Sequence, residues 1–321
     1  MVNFTSVTEV AAILKNVEDV AVIFHKNPDG DAIGSAVALC LGLKQLHKRC
    51  KILTFNKIPD RFNFMLSECV FDNFENGFVV AVDLASLNLL EEKLCDVKVN
   101  LVIDHHINNS VNADYCFVND KAAANCELIF CLLNSLNVKL TKQIAMSLYV
   151  GLATDTGCFK FSNTTSKTHE IASKLISFGF DFYSINFNLF DVKTKSQLQL
   201  QSLIIQNLHV YLEGWCSFVV VTQSMLLQCG CDEADLFIAV DLARSIEGVQ
   251  VALILKELAN FNFKVSVRAI GGFNAYEFCK LFGGGGHLKA AGFEISGKLK
   301  TVKLKILNKL KEFVVERNYL H

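Results

Sequence analysis

Short apolar runs rich in Val and Ile recur along the first half of the chain, each followed by a stretch long enough for a helix. Val20-Ala21-Val22-Ile23-Phe24 leads into His25-Lys26-Asn27-Pro28-Asp29-Gly30-Asp31, and Phe78 to Val82 leads into Asp83. Leu101-Val102-Ile103 leads into Asp104-His105-His106, and Leu148 to Thr154 leads into Asp155. Uninterrupted apolar runs predict strands buried on both faces, as in a parallel sheet. The alternation of such runs with helix-length segments predicts a doubly wound α/β domain over residues 1–185. Asp31 to Lys48 fits a helix, with Ile33, Val37, Leu41 and Leu43 as apolar positions and basic residues at its end, where cations suit the helix dipole. A further helix is expected between Ser166 and Phe178.

Residues 186–208 are more polar, with Lys193-Thr194-Lys195-Ser196 and several glutamines, and predict a helical linker. Beyond it, residues 209–321 predict a smaller α/β domain. Its expected strands are Trp215 to Thr222, Val249 to Lys256 and Phe263 to Arg268, followed by a helix from Asn274 to Phe282 and the run Gly283-Gly284-Gly285-Gly286-His287. Two domains agree with a length of 321 residues, since a single core rarely grows past about 250–300.

Composition narrows the function. Hydrophobic residues make up 51% of the chain, which is ample for two cores. A net charge of -1 gives no global attraction to nucleic acid, so a polyanion must be gripped locally, which argues against a binder of long duplexes and leaves room for a short charged substrate. The twelve cysteines are scattered through apolar runs, as at Cys40, Cys126, Cys131 and Cys279, and Cys229 and Cys231 lack the spacing of a zinc knuckle. They predict reduced core thiols in a cytoplasmic protein. No apolar run reaches the roughly 18 residues of a membrane span and no signal-peptide pattern opens the chain, so no membrane partner is expected.

In open α/β sheets, ligands bind beyond the carboxyl ends of the strands, where these acids and imidazoles would converge. Asp and His without Cys favour a hard or borderline divalent ion such as Mn²⁺ or Mg²⁺. His25, Asp29, Asp31, Asp83, His105 and Asp155 are too many for one ion; a pair bridged by a carboxylate fits the number. Two ions about 3.5–4 Å apart activate water and stabilise both the attacking and leaving oxygens of a phosphoryl displacement, with no nucleophilic side chain required. One such aspartate alone is ordinary helix-cap or turn chemistry, and one histidine an ordinary core residue. Four strand ends carrying the same chemistry are what support a site. The glycine run lets backbone N–H groups converge on an anion, or else closes the preceding helix as a turn.

His25-x-x-x-Asp29-x-Asp31, Asp83, Asp104-His105-His106 and Asp155 resemble the four motifs of the DHH phosphoesterase superfamily, which includes RecJ nucleases and family II pyrophosphatases. Gly283-Gly284-Gly285-Gly286-His287-x-x-Ala290-Ala291-Gly292 resembles the signature of the DHHA1 domain, so the resemblance covers nearly the whole chain. The two-domain form is similar to the bacterial nanoRNase and pAp phosphatase group. The resemblance implies an active site in the cleft between the two domains. It places His25, Asp29 and Asp83 on one Mn²⁺ and Asp31, Asp83, His105 and Asp155 on the other, with Mg²⁺ or Co²⁺ as alternative ions. His106 would face the substrate phosphate, Asp104 would orient the neighbouring histidines, and Arg268, Gly284, Gly285, Gly286 and His287 would bind substrate. The implied substrates are short RNA oligonucleotides and pAp, with hydrolysis of c-di-AMP or pApA as the alternative, and a homodimer is an admissible assembly.

Other readings carry less. A non-catalytic regulator on the same scaffold would have lost ligands, and none is lost. An inorganic pyrophosphatase would lack the glycine-histidine signature. Lys160 and Asn163-Thr164-Thr165 either line the site or form a solvated loop, Arg244 reads as a surface ion pair, and His47, His169, His209 and His321 as structural or exposed residues.

Overall fold

A computed structural model describes residues 3–66, 72–317 and 319. The chain divides into two compact units, Met1–Val192 and Lys193–His321.

The first unit is built on a six-stranded sheet of β1 (Asn3–Phe4), β2 (Asp19–Ile23), β3 (Arg49–Ile52), β4 (Phe78–Val82), β5 (Val99–Asp104) and β6 (Ala113–Val118). The order across the sheet is β1-β6-β5-β4-β2-β3, and every pairing is parallel. From β2 the chain steps to β3 on one side and then crosses to β4 on the other, so the order reverses between β2 and β4. That reversal opens the crevice in which such sheets hold ligands. The helices are α1 (Val7–Lys15), α2 (Gly30–Gln45), α3 (Asn63–Leu66), α4 (Asn125–Ser135), α5 (Lys142–Asp155), α6 (Ser166–Ile176) and α7 (Phe182–Asn186). One sheet face is buried under α1, α2, α4, α5 and α6 in a core that includes Val20, Val22, Val80, Val82, Leu101 and Ile103. The opposite face is covered by short turns and loops through Leu84, Leu90, Leu94 and Val111.

The segment Leu148 to Thr154, expected as a strand, is the second half of helix α5. Ile144 to Ala153 is buried on almost every side apart from Met146, so the run shows no helical stripe and reads like a buried strand. Two glycines explain its burial. A Cβ on Gly34 of α2 would lie 2.3 Å from the Ser147 carbonyl oxygen, and one on Gly151 would lie 2.2 Å from Cys126 Sγ. Only glycine lets α2, α4 and α5 come this close.

The second unit begins with α8 (Lys195–Asn207), whose N-cap Thr194 and Gln197 form a capping box. Its mixed sheet contains β7 (His209–Tyr211), β8 (Cys216–Val221), β9 (Val251–Glu257), β10 (Asn262–Ala269), β11 (Gly285–Gly286) and β12 (Ala290–Ser296), in the order β11-β12-β10-β9-β8-β7. Helices α9 (Gln223–Cys229) and α10 (Phe237–Arg244) join α8 on one face, while α11 (Ala275–Lys280) and α12 (Leu299–Glu316) cover the other. The segment expected as a linker, 186–208, is a π-helical turn at Phe187–Asp191 followed by α8, and α8 is built into the second unit through the fully buried Leu200 and Ile204. Among the described residues the cysteines are all free, and no helix is long and apolar enough to cross a membrane.

Candidate metal centre

The carboxyl ends of β2, β4 and β5, the N-terminus of α2 and the C-terminus of α5 bring the expected ligands together in the first unit. His25 follows β2. Asp29 is the N-cap of α2, and its Oδ1 accepts from the Asp31 and Ala32 amides at 2.9 and 3.1 Å, the ordinary work of a cap residue. Its second oxygen is left for the site. Asp31, one residue into the helix, is fully buried. Its Oδ2 accepts from the Asn125 amide at 2.5 Å and its Oδ1 from the Cys126 amide at 2.8 Å. These amides open α4, whose own N-cap is Ala124 and has no side chain able to cap.

Asp83 directly follows β4 in the left-handed region, at φ 51°. Asp tolerates that conformation better than most residues, though it still stores strain. Its Oδ2 lies 3.6 Å from His25 Nε2 and its Oδ1 3.5 Å from His105 Nε2, so the two oxygens face different imidazoles. Asp155, expected at a strand end, instead closes α5, and its Oδ2 lies 3.2 Å from His105 Nε2. Potential ligand atoms fall within 4.8 Å of one another in three overlapping groups, His25 with Asp29 and Asp83, Asp31 with His105 and Asp155, and Asp83 with Asp104, His105 and His106. The first two share no residue and match the expected division of ligands.

The tripeptide Asp104-His105-His106, which starts on the last residue of β5, divides its tasks. His105 Nδ1 sits 3.3 Å from the Ala122 carbonyl oxygen, which can only accept, so Nδ1 carries a proton and Nε2 is the nitrogen that can ligate. Its Nε2 is buried and makes no hydrogen bond, although three carboxylates lie within 3.9 Å. An imidazole lone pair held this way among acids fits a metal ligand, because a cation satisfies both at once. His106 turns away, with Nδ1 2.8 Å from Asp104 Oδ1 and the ring 45% exposed. Asp104 is completely buried and also accepts from Asn109 Nδ2 at 2.6 Å. It therefore orients His106 alone rather than both histidines; the Ala122 carbonyl orients His105.

The electrostatics describe a buried cluster short of positive charge. Burial and the neighbouring Asp83 charge push Asp31 up to about 7. Burial raises Asp155 well above the usual carboxylate range, with Asp31, Asp29 and Asp83 adding to the effect, and burial followed by Asp83 raises Asp29. Asp83 goes the other way: burial opposes its ionisation, but His105 and His25 outweigh it and hold the carboxyl far below its ordinary value. Burial likewise opposes the charged forms of His105 and His25, and the surrounding carboxylates overcome it, taking His105 to about 10. His106 is raised chiefly by its bond to Asp104. Divalent cations would relieve the repulsion that protons otherwise relieve. A depression of about 230 Å³ opens over the group, lined by His25, Asp29, Asp83, His106 and Asp155. A larger one of about 670 Å³ in the second unit, between Glu294, Lys305 and Glu312, has no such convergence of ligands.

In the second unit, Arg268 of β10 is opposite Ala290 of β12, and Ala290 is paired by two hydrogen bonds with His287. The three are neighbours in one row across the sheet, so Arg268 and His287 belong to the same face. Arg268 is half-buried, with Nη1 donating to the Val267 carbonyl at 3.1 Å. The glycine run is not an open cradle. The Gly283 and Gly284 amides bond back to Lys280 and Cys279, the His287 amide to Ala290, and Gly285-Gly286 pairs with Ala291-Gly292. In this antiparallel register Gly285 exchanges bonds with Gly292, and Gly286, opposite Ala291 in a non-hydrogen-bonded pair, directs its N–H to the outer edge of β11. Gly286 has φ 136°, and a Cβ there would lie 2.5 Å from Ala291 Cα. Lys160 and Arg244 are at or near the surface and outside the acidic cluster.

Several positioning residues escaped the sequence reading. The Ala122 carbonyl and the Asn125 and Cys126 amides act through backbone atoms, which no residue type announces. Asn109 sits in Asn108-Asn109-Ser110, which reads as ordinary turn chemistry. Asn163, expected either to line the site or to be solvated, donates Nδ2 to the carbonyl oxygens of Ala123 and Asp155 at 2.9 and 3.1 Å.

Comparison with known proteins agrees with the geometry. The DHH family N-terminal domain matches residues 19–152 and the DHHA1 domain residues 217–316. The chain is 30% identical to the bifunctional oligoribonuclease and PAP phosphatase NrnA of Thermus thermophilus, over 97% of this chain and 95% of that protein. It is 26% identical to the protein of the same description from Bacillus subtilis, over 90% and 93%. An exopolyphosphatase-related protein from Bacteroides fragilis has the same fold, with a TM-score of 0.85 at 22% identity over 96% of each chain. With both domain models matched in order and the ligand motifs assembled at one end of the parallel sheet, the chain belongs to the DHH family, with a C-terminal DHHA1 domain.

Proposed function

We propose that this protein is a two-metal phosphohydrolase that cleaves short oligoribonucleotides to mononucleotides and removes a phosphate from pAp. The observation that carries the reading is Asp83, whose two carboxylate oxygens face two separate ligand groups. The descriptions of the Thermus and Bacillus relatives, both spanning nearly the full chain, support the substrate class.

His25, Asp29 and Asp83 would hold one ion, and Asp31, Asp83, His105 and Asp155 the other. Two Mn²⁺ ions, or Mg²⁺ or Co²⁺ in their place, would supply Lewis-acid activation of water and neutralise charge on the phosphoryl oxygens. The chain's own residues then do the rest. Asp104 holds His106 through Nδ1, which leaves the exposed Nε2 to donate a hydrogen bond or a proton to a phosphate oxygen. The raised pKa of His106 keeps that proton available near neutrality. In the second unit, Arg268, His287 and the outward Gly286 amide supply donors for a phosphate, while Gly284 and Gly285 shape the strand that presents them.

Purified protein with Mn²⁺ should release mononucleotides from RNA dinucleotides and AMP from pAp, and should turn over c-di-AMP more slowly. Preference for long strands, or turnover confined to cyclic dinucleotides, contradicts this assignment.

A further inference from the structure

The backbone of Ala122-Ala123-Ala124-Asn125-Cys126 provides none of the candidate ligand side chains, yet it holds two members of one ligand group directly and is tied to the third through a single side chain. The Ala122 carbonyl holds His105 Nδ1, and the Asn125 and Cys126 amides hold the two oxygens of Asp31. The Ala123 carbonyl is joined through Asn163 Nδ2 to the carbonyl of Asp155. Asp31, His105 and Asp155 are the three residues whose ligand atoms converge in that group. The other group, His25 with Asp29 and Asp83, receives nothing from this segment. Within the pentapeptide, the Asn125 side chain is used on Ser35 of α2, at 3.0 Å, so it too braces the segment.

We propose that Asn163 is a positioning residue for one of the two metal sites: by spending both Nδ2 hydrogens on two carbonyls, it clamps the Ala122–Cys126 backbone to the end of α5. The clamp sets the separation of Asp155 from the His105 and Asp31 supports. Asn163 is an exposed turn residue whose bond to Asp155 reaches the last carbonyl of α5, a group that the helix itself leaves without a donor. The second bond, to the Ala123 carbonyl, goes beyond such a cap and ties that helix end to another segment. The carboxamide is specific for the task, because two carbonyl acceptors require two N–H donors on one atom. An aspartate of the same shape has none and would repel both.

This inference rests on the metal-site reading above, and calorimetric titration of Mn²⁺ into the full-length protein separates the two. Wild type should bind two ions. Asn163→Ala and the isosteric Asn163→Asp should weaken one site by about 10- to 100-fold, the range for lost outer-shell support, while the other stays within about threefold of wild type. Hydrolysis of an RNA dinucleotide by Asn163→Ala should recover as Mn²⁺ is raised, with KM for the dinucleotide little changed. Unchanged affinity at both sites, equal weakening of both, or full affinity in Asn163→Asp overturns the role of Asn163. A wild-type protein that binds no Mn²⁺ overturns the underlying reading instead.

Discussion

At the scale of single residues, Asp83 is where the most constraints meet. It stores left-handed backbone strain, is almost fully buried and faces His25 with one carboxylate oxygen and His105 with the other. Asp83→Ala should therefore lose more Mn²⁺ affinity than the roughly 10- to 100-fold typical of an outer-shell partner, with both sites affected, as read by calorimetry. Loss at a single site would show that the carboxylate does not bridge. Asp104→Asn tests a different link. It keeps the side-chain shape but leaves one acceptor oxygen for the two donors, Asn109 Nδ2 and His106 Nδ1, and removes the charge that raises the His106 pKa. The alkaline limb of the pH dependence of kcat/KM should move to lower pH if His106 is the proton donor, and an unmoved limb would argue against that role.

At the scale of elements, α5 decides how close the acids can come. A Cβ on Gly151 would lie 2.7 Å from Asp31 Oδ1 and against Cys126 Sγ, both fully buried. Glycine to alanine in a helix ordinarily gains up to about 1 kcal/mol. Overpacking a tight core costs about 1–3 kcal/mol, so Gly151→Ala should be net destabilising in urea titration and should weaken Mn²⁺ binding as well. A more stable variant would mean that the helices separate without resistance. The same helix shows the limit of reading from sequence. Strands β2, β4 and β5 were legible because apolar runs of that length ended in acids or imidazoles, and the four motifs followed. Residues 148–154 looked identical, since burial on nearly all sides erases the helical period. Asp155 still falls in the acidic cluster with Asp31 and His105, because its place in the chain did not depend on the type of element that carries it. The glycine run was legible as special, but its reason lies partly in the strand pairing of Gly285 and Gly286. The backbone groups of Ala122, Asn125 and Cys126 were invisible, since any residue type supplies them.

For the whole molecule, the cluster sets how stability follows pH. Asp31, Asp29 and Asp155 have pKa values raised by folding, so each favours the folded state fully below the ordinary aspartate value near 3.9 and loses that contribution as pH rises through its folded value, about 7 for Asp31. His105 and His25 are also raised, and their contribution is complete below about 6.5 and lost as pH climbs, toward about 10 for His105. Asp83 is depressed and acts only at lower pH, where its contribution disappears as it protonates. Between pH 5.5 and 8 the site's contributions therefore share one sign. The Tm of protein stripped of divalent ions should fall over that interval, and millimolar Mn²⁺ should raise Tm most at pH 8, the end of the interval where the cluster binds fewest protons. A stripped protein whose Tm rises from pH 5.5 to 8 would contradict this electrostatic account.

Helix α4 borrows its cap from Asp31 rather than carrying one of its own. Whatever draws electron density from that carboxylate also weakens its hold on two amides, so the first turn of α4 registers the state of the acidic cluster. Amide exchange at Asn125 and Cys126 should therefore report the charge state of Asp31, readable without substrate and without turnover, from backbone atoms outside the candidate ligand set.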